Sequence, residues 1–280
     1  MQLYALDGND KPVAAYRAKR GQNYRCIECL DPVRLRGGWH RQTHFYHLLP
    51  NRHCQMHGKG MVHLQIQAHL KQILGGDCEL EYPFPEIGRI ADVVWKPHRL
   101  VFEIQCSPIS KEEVEQRNRD YRGMGWEIIW ILHDKRYNQR QLTAAEWMIR
   151  SSTSYYGCLD RQGHVFIYDQ FDYLEGAFRG YKLPPLPVDF SRPIRLTDLA
   201  NKGQPSLNLV RDRLQQWPIC FEGDLIDLSL NSEKTDYLEE AQRIEQRNIR
   251  SQSFWKMLFY KGLVRPYTLF FQMILEKACR

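Results

Sequence analysis

Apolar residues recur at helical spacing over residues 59–74, where Val62, Ile66, Leu70 and Ile73 form one stripe. Gly75-Gly76 stops that helix. The period then changes to two. Cys78, Leu80 and Tyr82 alternate with Glu79 and Glu81, which predicts a strand ending near Pro83. Residues 89–95 and 100–106 predict two more strands, joined by Lys96-Pro97-His98-Arg99, a link short enough for a hairpin. Ser110, with Glu113 three residues on, is a capping box that opens a second helix. Glu113–Arg117 and Glu115–Arg119 support it as i,i+4 pairs, and Gly123 and Gly125 end it. Residues 127–132 are nearly all apolar, the pattern of a buried central strand. The predicted order is helix, three strands, helix, strand. Its last strand–helix–strand unit should be a right-handed crossover between parallel strands.

The flanks are less regular. Residues 1–33 predict short strands and turns, with Asp7-Gly8 as a turn. Residues 34–57 are basic and His-rich, have little periodicity and need another source of order. Ser151-Ser152-Thr153-Ser154 suggests a boundary, followed by a hairpin turning at Arg161-Gln162-Gly163 and a Pro-rich linker over 183–187. The remainder reads as mainly helical, including residues 237–249. A last helix carries Phe254, Trp255, Leu258, Phe259 and Leu263 as the core of a small lobe. The expected domains are 1–57, 58–150 and 151–280.

Composition narrows the class. A chain of 280 residues suits one large domain or two to three small ones. With 43% hydrophobic and 26% charged residues it is an ordinary globular protein rather than a disordered one. A formal charge of +6 permits nucleic-acid binding without demonstrating it. No apolar stretch follows Met1, and Lys256, Lys261 and Arg265 interrupt the apolar segment 254–275, so neither a secretion signal nor a membrane span is expected. Scattered cysteines fit reduced thiols and a cytoplasmic location.

Two clusters carry chemistry. Alternation puts Glu103 and Gln105 on one face of an apolar strand, with Asp92 on the preceding strand. A turn centred on Pro97 and His98 sets Asp92 opposite Glu103, with Cβ atoms roughly 4.5–5.5 Å apart. Two carboxylates that close ionise together only with a cation between them, and a hard divalent ion suits oxygen ligands. Further upstream, Cys26-x-x-Cys29, His44-x-x-His47 and His53-Cys54 could complete a tetrahedral zinc site and order a segment poor in periodic hydrophobes. Arg34, Arg36, Arg41 and Arg52, interleaved with Trp39 and Tyr46, would suit single-stranded nucleic acid.

The series Arg89-Ile90-Ala91-Asp92-Val93, Phe102-Glu103-Ile104-Gln105-Cys106-Ser107, Ile109-Ser110, Arg117, Tyr121 and Ile129-Trp130-Ile131-Leu132 resembles the competence protein CoiA-like family, itself similar to the PD-(D/E)xK nuclease superfamily. The resemblance covers most of residues 20–135. It implies an α/β fold: a restriction-endonuclease-like αβββαβ core with an N-terminal zinc-binding module and a C-terminal mainly helical lobe. It implies metal-dependent hydrolysis of DNA phosphodiesters in DNA uptake or recombination, with recombination proteins as partners. Asp92 and Glu103 would bind Mg²⁺ or Mn²⁺, with Glu81 as a third ligand. Gln105 would stand where the superfamily usually has Lys. Arg117 and Tyr121 would contact phosphate or brace the centre. The element His44-Phe45-Tyr46-His47 is similar to the family's N-terminal module, which points to Cys26, Cys29, His47 and Cys54 as zinc ligands and His44 as the substitute. Ala91 departs from the superfamily's usual Pro. Gln105 lacks the positive charge of Lys, and the first helix carries no carboxylate. Those departures favour the competing reading, a non-catalytic DNA-binding recombination mediator on the same fold. A zinc-dependent interaction module without a nucleic-acid role is a third reading.

Overall fold

The computed structural model describes residues 1–38, 41–49, 51, 54, 56, 59–160, 162–199, 205–231, 235–259 and 262. Side chains of residues 249–259, and of Arg41, Gln42, Asp198 and Leu199, lie outside this description, as do Trp39, Arg52, His53, Arg161, Leu263 and Cys279.

Five short strands come first: β1 (Tyr4–Leu6), β2 (Pro12–Ala14), β3 (Asn23–Arg25), β4 (Pro32–Gly38) and β5 (Arg41–His47). They form an antiparallel sheet in the order β2-β1-β3-β4-β5. Asp7 makes the first turn by accepting the N–H groups of Asn9 and Lys11. The β4–β5 hairpin lies where no regular element was expected. Its signal was Val33-Arg34-Leu35-Arg36, in which Val33 is buried and both arginines are exposed. Val33, Phe45, Tyr24 and Met56 form a small core with Cys26 and Cys54.

The next elements follow the predicted order: α1 (Met61–Leu74), β6 (Cys78–Phe84), β7 (Arg89–Trp95), β8 (Leu100–Gln105), α2 (Lys111–Gly123) and β9 (Glu127–His133). Strands β6, β7 and β8 are antiparallel neighbours, and β8 pairs parallel with β9 across α2. Gly75, at φ 76°, ends α1. Ser110 caps α2 by accepting the Glu113 N–H. The Glu113–Arg117 pair forms at 2.8 Å, whereas Glu115 pairs with Lys111 instead of Arg119. Ile66 and Leu70 of α1 pack against Val93, Phe102, Ile104 and Ile131. Val114 and Tyr121 of α2 pack against Val101, Ile128 and Trp130. Each such fully buried side chain contributes roughly 1.5–3 kcal/mol relative to exposure.

Downstream, two expectations are corrected. Short helices α3 (Asp134–Tyr137) and α4 (Ala144–Ile149) lead into β10 (Ser154–Leu159), β11 (Val165–Asp169), β12 (Asp172–Glu175), β13 (Phe178–Lys182), β14 (Leu186–Pro187) and β15 (Asp189–Arg195). Strand β10 pairs parallel with β9, and β11 and β14 follow, giving a seven-stranded sheet ordered β14-β11-β10-β9-β8-β7-β6. The boundary at 150/151 therefore cuts a continuous sheet. Residues 151–154 deliver a strand rather than a linker, and the Thr153 carbonyl already accepts the Trp130 N–H at 2.9 Å. Among the described residues from 151 on, the expected hairpin forms as β10–β11, but strands continue as far as Arg195 before helices dominate; prolines at 187 and 193 confine some of those strands to edges and irregular pairs. Helices α5 (Asn208–Gln216), α6 (Leu225–Asn231) and α7 (Asp236–Phe259), with strand β16 (Ile219–Glu222) paired to β15, complete the described chain. Val210, Phe221, Leu225 and Leu238 join the same core as α1. Gly157 permits this close fit, since a Cβ there would meet Ile131 Cγ2 at 3.0 Å and Ile66 Cδ1 at 3.2 Å. No helix among the described residues is long and apolar enough to cross a membrane.

Candidate functional site

The β7–β8 register is the one the turn predicts: Val93 faces Phe102, Val94 faces Val101 and Trp95 faces Leu100. Extending it by one step sets Asp92 opposite Glu103. The β6–β7 register likewise brackets Glu81 and Asp92, pairing Leu80 with Val93 and Tyr82 with Ala91. Glu81, Asp92 and Glu103 thus share one register row across three strands, where β7–β8 pairing ends while β6–β7 pairing resumes at Tyr82 and Ala91. Here β7 and β8 splay. Asp92 Oδ2 fills the gap by accepting the Ile104 N–H at 2.9 Å. Glu81 adopts the left-handed region, φ 52°, which interrupts the alternation of β6.

Each carboxylate has its own cationic or donor partners. Asp92 Oδ1 lies 2.8 Å from Lys59 Nζ and 3.0 Å from His63 Nε2, while Gln67 Nε2 donates to the Asp92 carbonyl at 2.9 Å. Burial works against the Asp92 charge, but His63 and Lys59 outweigh it and hold the carboxyl well below the usual range. Glu103 Oε2 accepts from Arg117 and Oε1 accepts from the Tyr121 hydroxyl at 2.7 Å. Burial pushes the Glu103 carboxyl up, with Arg117 opposing it. Of the two roles expected for Arg117 and Tyr121, the bracing one is visible. Arg117 is itself held by Glu113.

Glu81 is placed differently from a simple third ligand. Its oxygens accept the Leu3 N–H at 3.1 Å and the Tyr4 N–H at 3.0 Å, so it fastens β1 to the central sheet. Lys59 Nζ lies 3.4 Å from Glu81 Oε1 and so stands between Glu81 and Asp92. The Gln105 amide donates to the Ser107 carbonyl at 2.7 Å and to its hydroxyl at 3.2 Å.

A cleft of about 530 Å³ opens over this region; Lys59, His63, Asp92, Gln105, Ser110 and Arg117 are on its wall. Glu103 is not; Arg117, which is, bonds to it. The two carboxylates fit a divalent ion in kind, with both Glu103 oxygens already engaged by Arg117 and Tyr121. Lys59 and Arg117 already neutralise much of the charge such an ion would meet. Lys59 is the residue that the sequence reading missed, and His63 had no assigned role. Their signal was spacing: Lys59, His63 and Gln67 recur every four residues beside the apolar stripe.

At the N-terminal sheet, Cys26, Cys29, His47 and Cys54 bring four ligand atoms within 4.8 Å of one another. Cys26 Sγ to Cys54 Sγ is 3.6 Å and Cys29 Sγ to His47 Nε2 is 3.3 Å. A tetrahedral zinc with bonds of about 2.3 Å to sulfur requires edges of about 3.7 Å, so the set fits. Burial raises the Cys29 and Cys54 thiols, so the thiolate form there calls for a cation. His44 is buried on β5 and is not among the four.

Residues 55–170 match the family model described as competence protein CoiA, nuclease-like domain, and the chain is CoiA-like over that segment. Searches of curated proteins and of solved structures return no significant match.

Proposed function

Starting from a CoiA-type nuclease-like domain over residues 55–170, we propose that the protein hydrolyses DNA phosphodiesters with a divalent metal ion, in DNA uptake or recombination. The observation that carries this reading is the buried Asp92 on the wall of an open cleft, with Glu103 one strand away. Asp92 and Glu103 are the proposed ligands of Mg²⁺ or Mn²⁺. Such an ion, when bound, supplies an activated water and a counter-charge for phosphoryl oxygens. His63 and Lys59 keep Asp92 ionised. Arg117 and Tyr121 fix the Glu103 carboxylate, and Arg117 also lines the cleft, where phosphate oxygens would bind. Ser110 places the N-terminus of α2 on the same wall. The Cys26, Cys29, His47 and Cys54 set would hold a structural zinc that supplies no chemistry at the cleft.

The test is cleavage of single- and double-stranded DNA with Mn²⁺ or with EDTA, comparing wild type, Asp92→Asn and Glu103→Gln. Loss of cleavage in EDTA and in both variants is expected. Equal cleavage by all three would sink the assignment.

One observation favours the second reading, a DNA-binding recombination mediator without catalysis. Gln105 brings no charge and its amide is tied to Ser107. In that case DNA binding persists in EDTA and in Asp92→Asn, and no cleavage appears.

A further inference from the structure

We propose that Lys59 is an internal counter-cation that competes with a divalent metal ion for Asp92 and thereby sets the metal affinity of the centre. The inference rests on the metal-centre reading above and deepens it.

Lys59 lies just before α1, whose N-terminal cap is Gly60, and its side chain is 9% exposed. Its ammonium is 2.8 Å from Asp92 Oδ1 and 3.4 Å from Glu81 Oε1. Both carboxylates are buried, so each needs a positive partner. A metal ion bound to Asp92 Oδ1 at about 2.1 Å would sit no more than about 5 Å from that ammonium. Two positive charges that close, in a partly desolvated site, repel strongly. The ammonium must therefore withdraw when metal arrives. Glu81 gives it somewhere to go. Because Glu81 is anchored by the Leu3 and Tyr4 N–H groups, it stays in place while Lys59 moves. Metal entry then exchanges one cation for another at Asp92, and neither carboxylate is left buried and unpaired. The cleft reaches Lys59, His63 and Asp92 together, so the exchange has an open route.

The test is Mn²⁺ binding to the full chain, zinc-loaded, by isothermal titration calorimetry. Lys59→Met keeps the apolar stem and removes the ammonium. It should bind Mn²⁺ at least tenfold more tightly than wild type. Lys59→Arg should stay near wild type. The double variant Lys59→Met/Asp92→Asn should lose the gain. Equal affinity in wild type and Lys59→Met, including no binding to either, overturns the proposal; so does a gain that survives loss of Asp92. If Lys59→Met does not fold, Lys59→Gln, which retains a hydrogen-bond donor, takes its place with the same expectations. Tighter Mn²⁺ binding with no cleavage by wild type would sink the nuclease reading and leave the competition standing. Cleavage by wild type with unchanged Mn²⁺ affinity would do the reverse.

Discussion

Asp92 Oδ2 accepts the Ile104 N–H at 2.9 Å where β7 and β8 part, so the proposed metal ligand is also a structural bridge between the strands. Asp92→Ala would strand that N–H and leave Lys59 and His63 without their carboxylate. We expect it to cost roughly 3–5 kcal/mol, as for a broken buried pair. Asp92→Asn keeps an acceptor for Ile104 and should cost less. Urea denaturation of the two variants checks the order. Equal destabilisation would show that the bridge contributes little.

Arg117 and Tyr121 hold opposite oxygens of Glu103, and their removal should differ in scale. Arg117→Met leaves a buried carboxylate without its cation and should cost roughly 3–5 kcal/mol. Tyr121→Phe removes one hydrogen bond to a charged group and should cost roughly 1.5–3 kcal/mol. Denaturant midpoints, at constant slope, measure both. Glu103→Gln combined with Arg117→Met should recover part of the loss, since the uncompensated charge disappears.

Zinc removal should act on the N-terminal sheet first. Cys54→Ser should lower the bound zinc measured by inductively coupled plasma mass spectrometry and weaken amide protection in β3, β4 and β5. Protection around α2 and β9 should change little, because Val114, Tyr121, Ile128 and Trp130 belong to a separate core. Wild-type zinc content in Cys54→Ser would contradict the four-ligand site.

Asp224 offers a pH signature away from the cleft. Burial, with Asp169 nearby, pushes its carboxyl up to about 6. A carboxyl raised on folding binds protons more tightly in the native state, so its contribution is full below about pH 4 and gone once pH passes about 6. Stability should therefore fall across that window, by an amount on the order of a few kcal/mol. In Asp224→Asn the melting temperature should change less between pH 4 and pH 6.5 than in wild type. An unchanged slope would remove Asp224 as its source.

The core was legible because its periods are clean. The stripe on α1, the alternation around Glu103 and the apolar run of β9 each leave one reading of the local structure. The Pro97–His98 turn set the β7–β8 register. Lys59 was not legible in the same way. Its role depends on a kink at Glu81 and a splay at Asp92, both tertiary features, and only the four-residue spacing with His63 and Gln67 hinted at it. The β10–β11 hairpin was legible from its turn at residues 161–163; the strands from β12 on were missed because several are short, amphipathic and proline-bounded, so period-two signals barely develop. The four candidate zinc ligands, Cys26, Cys29, His47 and Cys54, were legible from residue type and spacing, and the fold brings the same four together.

The most direct test of the metal centre is anomalous diffraction from a crystal soaked in Mn²⁺. A manganese peak is expected about 2.1 Å from an Asp92 carboxylate oxygen, with the Lys59 ammonium withdrawn onto Glu81. A crystal in saturating Mn²⁺ with no peak at Asp92, and Lys59 still paired to it, would show that Asp92 is not a metal ligand.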